Sequence, residues 1–241
     1  MKPSGLFLQR SRGRILRLVD FVDSLRVRRA LDRLGAGDAP SIPSHTNRRE
    51  LAVLFDLATR CPAGGTALEI GSHLGASSCY IAAGLAPRGG RLYCVDPWTN
   101  LEMPGMVHDI FPGFMKNTAG LANCITTVRK RSEALLPGDV PSPLHLAFID
   151  GEHAYAAVRL DFQFAAPLIA ENGCIAFHDF QYFEGVARVV GEALASGKWV
   201  PEGYVDNLVW LRRRAFNRAC DPEPGPISNS LAGAVATELS R

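Results

Sequence analysis

Apolar and polar positions along this chain change rhythm several times, and each rhythm names an element. Residues 13–34, GRILRLVDFVDSLRVRRALDRL, place Ile15, Leu18, Val19, Val22 and Leu25 at helical spacing, with arginines elsewhere. The Gly/Pro-rich stretch GAGDAPSIP stops that helix as a linker or long turn. Asn47 and Glu50 make a capping-box pair ahead of Leu51, Leu54, Phe55 and Ala58, so a second helix is expected, ending near CPAGG. From residue 66 short apolar runs alternate with helical patterns. TALEI (66–70), RLYCVD (91–96), ITTVR (125–129), LHLAFID (144–150) and CIAFHD (174–179) read as buried strands. ASSCYIAAGLA, AYAAVRLDFQFAAPLIAENG and EGVARVVGEALAS read as helices, the second ended by Asn172-Gly173 as a left-handed cap. KWVPEGYVDNLVWLRRR reads as a two-stranded hairpin.

The strand runs are continuous rather than alternating, so both faces of their sheet must be covered. The fold class expected is α/β: a Rossmann-like, seven-stranded, mostly parallel sheet with helices on both faces and a C-terminal antiparallel hairpin at one edge. Residues 97–124 are longer and irregular, a loop with a helix around 109–119. The chain divides into a basic N-terminal helix and linker (1–44), a main domain (45–216) and a flexible tail (217–241).

Composition narrows the class. Apolar residues make up 47% and charged residues 21%, the balance of a globular protein with a sizeable core. A formal charge of +2 gives no reason to expect a nucleic-acid partner. That charge is uneven, because residues 1–34 carry nine Lys/Arg against three Asp. The basic face is either simply solvated or meets an acidic partner or surface. The apolar stripe beside it needs a surface to bury against, and homo-oligomerisation through this helix is the use expected for it. Six cysteines stand apart with no C-x-x-C pair, which fits a reducing compartment rather than a zinc site or a disulfide framework. No apolar run reaches the ~20 residues of a membrane span, and no signal-peptide core opens the sequence. A cytoplasmic protein is expected.

Ligands of an open α/β sheet bind beyond the carboxyl ends of its strands. The residues at those ends are Glu69-Ile70-Gly71, Asp96, Arg129-Lys130, Asp150 and His178-Asp179. Four of the five ends carry acids, and gathered carboxylates are unfavourable without a ligand, a metal or a titrating role. In the loop EIGSHLGASS, Gly71 and Gly75 allow close backbone approach at a helix start, or serve only as a tight turn. This is not the dinucleotide G-x-G-x-x-G, since His73 stands at the second glycine. Asp96, at the end of the next strand, is placed to accept two hydrogen bonds from ribose hydroxyls.

Glu69-x-Gly71-x-x-x-Gly75, Asp96, Asp150 and Asp179 together resemble the class I S-adenosylmethionine-dependent methyltransferases. More narrowly, EIGSHLGASS, VDPW, FIDGEHAY and GCIAFHDF resemble the branch with antibiotic-sugar O-methyltransferases and cephalosporin hydroxylase proteins, over about residues 45–213. The resemblance implies that Glu69, Gly71, Ser72 and Gly75, helped by Ser77, hold the methionine end of S-adenosyl-L-methionine. It implies Asp96 on the ribose, Pro97, Trp98 and Ser132 around the adenine, and Asp150 closing the cofactor site. Arg131 departs from the acid or small polar residue often found before that serine. Asp150, His178 and Asp179 fall where related O-methyltransferases bind a divalent ion, Mg²⁺ or Mn²⁺. His178 is a departure there, either a ligand or a neighbour of one.

The reaction then expected is O-methylation of a hydroxyl on a sugar or small secondary metabolite. A free hydroxyl is a poor nucleophile at neutral pH and needs a base or a metal. Asp150, His153 and Asp179 are the catalytic candidates: His153 as base with Asp150 as its competitor, and Asp150 with Asp179 as metal holders. His153 has the alternative of capping the helix that follows. Tyr182 and Phe183 are candidates for the acceptor pocket, and residues 98–114 for a lid or acceptor wall. Two other readings stand beside this one: a non-catalytic or hydroxylase-like subunit of the same fold, and an NAD-type oxidoreductase.

Overall fold

The computed structural model describes residues 25–103 and 106–215. Of the helix expected at 13–34, residues 25–33 (α1) are described and are helical; the rest of it, and the tail at 217–241, lie outside the described residues. Helix α2 (Arg48–Thr59) starts as the sequence demands. The Asn47 side chain accepts from the Arg49 and Glu50 amides, and Glu50 accepts from the Asn47 amide, which completes the capping box.

Strands β1 (Thr66–Ile70), β2 (Arg91–Val95), β5 (Ile125–Val128), β6 (Leu144–Ile149) and β7 (Ile169–Phe177) form the parallel part of the main sheet. Strands β8 (Trp199–Val205) and β9 (Leu208–Arg213) add the antiparallel edge. The order across the sheet is β5-β2-β1-β6-β7-β9-β8. The chain winds outward from β1 to β5 and then returns to lay β6 on the other side of β1. The β1/β6 seam is therefore the switch point, where an open α/β sheet leaves its crevice.

Successive side chains of each strand go to opposite faces, so each continuous apolar run feeds two cores. Ala67, Leu146 and Phe148 join Leu54, Phe55 and Ile81 under α1, α2 and α3 (Ala76–Leu85). Leu68, Ile70, Ala147 and Ile149 join Val158, Val186 and Val189 under α5 (Tyr155–Leu168) and α6 (Glu184–Ala195). Val27, Leu31, Ala36 and Ala39, placed by the sequence in a separate N-terminal segment, belong to the first of these cores. All ten residues of α3 are buried, and Gly84 sets how near α2 comes: a Cβ there would lie 2.6 Å from the Phe55 carbonyl oxygen.

Two elements differ from expectation. Two short strands, β3 (Thr99–Met103) and β4 (Met106–Asp109), pair antiparallel ahead of helix α4 (Phe111–Asn117). Helix α5 ends at Leu168, one residue after Pro167, rather than at Asn172-Gly173. Proline has no N–H to continue the helical ladder, and Ile169 instead pairs with Leu144. Asn172 is left-handed, φ 62°, but it sits where the β6/β7 register shifts, not at a helix cap.

Candidate active site

The strand tips end level. Ile70 is in register with Val95 and Ile149, and Ile149 with Phe177. One residue further, the Gly71, Asp150 and His178 amides donate to the Val95, Ile70 and Ile149 carbonyls. The chemistry-bearing side chains therefore leave the sheet from one row. Over the β1/β6 seam lies a cavity of about 680 Å³. Gly71, Ser72, Ser77, Asp96, Pro97, Ser132, Asp150, His153 and Asp179 all line it. Glu69, Gly75, Trp98 and His178 do not; each stands behind the wall.

Gly71 has φ 89°, and a Cβ on it would lie 2.1 Å from the Asp150 carbonyl oxygen, so only glycine lets the seam close. Gly75, also at φ 89°, makes room for Thr118 and Phe114 rather than for a ligand. Glu69 is fully buried under the loop. Its Oε2 accepts from the Ser72 hydroxyl at 2.8 Å, from the Ser78 hydroxyl, and from the Cys94 thiol at 3.4 Å. Burial pushes its carboxyl up, against the pull of those serines. It therefore holds the loop from below and does not face the cavity.

Asp96 is already committed to its own loop. Its Oδ2 accepts from the Ser72 and His73 amides at 3.0 and 2.9 Å, and its Oδ1 from the Trp98 amide. A carboxylate offers about four lone-pair directions. One is left, on Oδ1, so the structure has room for one ribose hydrogen bond and not two. Trp98 is fully buried, with its indole N–H on the His73 carbonyl at 2.9 Å and its ring against Phe111 and Phe114. It packs behind the loop, not beside an adenine. On the opposite wall, Arg131 pairs with Glu133 and lies 4.0 Å from Glu152. Behind Ser132 stands Asp161, 1% exposed, with one oxygen unpartnered among the described residues. Burial lifts its carboxyl to about 6, with a Ser132 hydrogen bond pulling the other way.

The acids at the β6 and β7 tips meet two imidazoles. His178 Nδ1 is 3.2 Å from Asp150 Oδ1 and 3.5 Å from Asp179 Oδ2. His178 Nε2 is 3.2 Å from Glu50 Oε2. His153 Nε2 is 3.0 Å from Asp179 Oδ2, near but not aligned as a hydrogen bond, and its ring stacks on Phe183. Asp179 takes a left-handed φ of 60°, and the Asn207 side-chain Nδ2 donates to its other oxygen. Burial opposes charge on Asp150, yet hydrogen bonds from His153 and His178 hold its carboxyl below the ordinary value. The bond to Asp150 lifts His153. Burial also works against His178, but its bonds to Asp150 and Glu50 raise it to about 10.

The expected ion-binding trio changes membership. Both nitrogens of His178 face carboxylates, and the ring is 3% exposed. Among the described residues the group whose donor atoms converge, all within 4.8 Å, is Asp150, His153 and Asp179. Sequence reasoning missed three contributors. Residues Pro43–Thr46 form a cavity wall, Asn207 reaches Asp179 from the β8–β9 turn, and Glu50 backs His178. Only Glu50 carried a local signal, and that signal named a helix cap.

A family model described as "Methyltransferase domain" matches residues 68–180, from β1 to just past the tip of β7. Among solved structures, cofactor-bound Rv0187 from MTB is 21% identical, with a TM-score of 0.57, covering 83% of this chain and 97% of that one. The O-methyltransferase TomG from Streptomyces achromogenes, in complex with SAM, is 18% identical with a TM-score of 0.52, covering 77% and 90%. An O-methyltransferase from Bacillus cereus, in complex with SAH, is 16% identical with a TM-score of 0.54, covering 78% and 90%. At such identities the solved structures speak for the fold. Residues 68–180 thus match a methyltransferase domain, and the chain shares the fold of these solved methyltransferases.

Proposed function

We propose that the protein methylates a hydroxyl oxygen of a small molecule, a sugar or another secondary metabolite, with His153 taking the proton. One observation carries the reading: a partly exposed imidazole on the cavity wall, set between Asp150 and Asp179, with Nε2 itself buried against Asp179. S-adenosylmethionine, when bound, supplies a methyl group on a sulfonium leaving group. The residues present fit it: a glycine seam at Gly71, hydroxyls at Ser72 and Ser77, and a free lone pair on Asp96. The chain's part is alignment and proton removal. With the cofactor held there, His153 would take the proton of the acceptor O–H. Asp150, ionised and hydrogen-bonded to the ring, stabilises the imidazolium that results.

A divalent ion is the second reading, favoured by the convergence of Asp150, His153 and Asp179. Two carboxylates and one imidazole suit Mn²⁺ better than Mg²⁺, which prefers oxygen throughout. The two readings exclude each other at His153, since an imidazole that holds an ion cannot also take the proton. The five described cysteines, all buried and unpaired, accord with a cytoplasmic setting.

The test is calorimetric titration of S-adenosylmethionine and of NAD⁺, with and without EDTA or added Mn²⁺, on wild type and Asp179→Ala. Transfer of labelled methyl to a panel of hydroxyl compounds accompanies it. Binding of S-adenosylmethionine but not NAD⁺, with EDTA-resistant transfer, is expected. Transfer abolished by EDTA and restored by Mn²⁺ would move the assignment to the ion. Binding of NAD⁺ alone would end both.

A further inference from the structure

We propose that Glu50 is a positioning residue for the strand-tip cluster: its buried carboxylate fixes the His178 ring so that Nδ1 faces Asp150 and Asp179. The inference rests on the reading of that cluster as the reacting one.

The observation that demands it is how fully Glu50 is used. A glutamate that only completes a capping box needs one oxygen on one amide, and glutamine serves as well. Glu50 is 1% exposed and engaged from three directions. Oε2 accepts from the Asn47 amide at 2.8 Å and faces His178 Nε2 at 3.2 Å; Oε1 accepts from the Asn207 amide at 2.8 Å. Taking a carboxylate out of water is unfavourable, and an exposed cap avoids it. The partners at His178 and Asn207 are the return on that cost, and they lie 128 and 157 residues away in sequence.

Both partners lead to the reacting acids. His178 Nε2 has Glu50 as its neighbour, while Nδ1 sits between Asp150 and Asp179. An imidazole held at one nitrogen cannot turn over and exchange the other. Asn207 binds Glu50 through its main chain and Asp179 through its side chain. Glu50 therefore ties the start of α2, the tip of β7 and the β8–β9 turn into one support behind the cavity. Groups that orient metal ligands from behind are worth about 10- to 100-fold in activity or affinity, and Glu50 stands in that relation to Asp150 and Asp179 through His178 and Asn207.

The test uses the full chain in four versions: wild type, Asn47→Ala, Glu50→Gln and Glu50→Ala. Asn47→Ala removes the cap bonds and an exposed bond to Asp206, none of them to His178; Glu50→Gln keeps the cap acceptor and removes the charge. The downfield imidazole N–H proton of His178, assigned by its loss in His178→Gln, is followed by NMR. S-adenosylhomocysteine affinity, thermal midpoint and methyl transfer are measured alongside. Glu50→Gln is expected to shift or broaden the His178 signal and to lower turnover about 10-fold or more, with S-adenosylhomocysteine affinity unchanged. Asn47→Ala is expected to lower the thermal midpoint and leave signal and turnover as they were. If Glu50→Gln and Asn47→Ala differ only in thermal midpoint, or if wild type gives no such signal, Glu50 is a helix cap and nothing more. The signal is read whether or not an acceptor is found, so failure of the functional reading and failure of this one are separate results.

Discussion

Two residues make opposite demands on pH. His153 is lifted above its ordinary value by Asp150, and it must be neutral to take a proton. Turnover is therefore expected to rise with pH through a value above 6.5, and the rise should vanish in His153→Ala while cofactor affinity persists. A pH-rate profile beside calorimetry checks both. Asp161 works on stability instead. Its folded value, about 6, lies above the ordinary 3.8, so the native state holds that proton more tightly. Its favourable contribution is complete below the ordinary value and is lost as pH rises toward and through about 6. Asp161→Asn should thus gain stability over wild type as pH climbs through that window, by roughly 3 kcal/mol at most, and the gain should then stay level. Thermal midpoints across the range decide it; a constant difference at every pH would contradict the assignment.

At the scale of elements, the small residues of α3 decide how the first core closes. A methyl group at Gly84 would meet the Phe55 carbonyl oxygen at 2.6 Å and the Ala58 Cβ at 2.7 Å, and neither neighbour is a flexible side-chain end. Gly84→Ala should therefore cost about 1–3 kcal/mol by denaturant unfolding, the usual range for an overpacked core. This region also shows what sequence could deliver. TALEI was legible because a short apolar run bounded by glycines has little choice of structure, and β9 because its apolar run follows the turn residues Asp206-Asn207. The β3–β4 pair was not, because TNLEM and MVHD lack the alternation that marks strands. Trp98 was misplaced for a related reason: adjacency to Asp96 fixed its position in the chain, but the side to which its ring turns is set by Phe111 and Phe114. The acids at the tips were legible from strand endings alone. Their supports, Glu50 and Asn207, come from elements that only tertiary folding brings near.

For the whole molecule, the open question of association falls on the N-terminal helix. The described part of α1 already buries Val27 and Leu31 in its own body, whereas Leu25 is 39% exposed. If the stripe from Ile15 to Leu25 joins two copies, Leu25→Glu should lower the mass seen by sedimentation, and an unchanged mass would remove the helix from that role. The level row of tips carries a wider consequence. Neighbouring positions in a strand point to opposite sides, so gaining or losing one residue inside β6 or β7 would carry Asp150 or Asp179 to the wrong side. Over evolutionary time, length can accumulate in the connections at the rim, where Pro43–Thr46 already lie. The strands themselves can be reworded but not lengthened by a single residue.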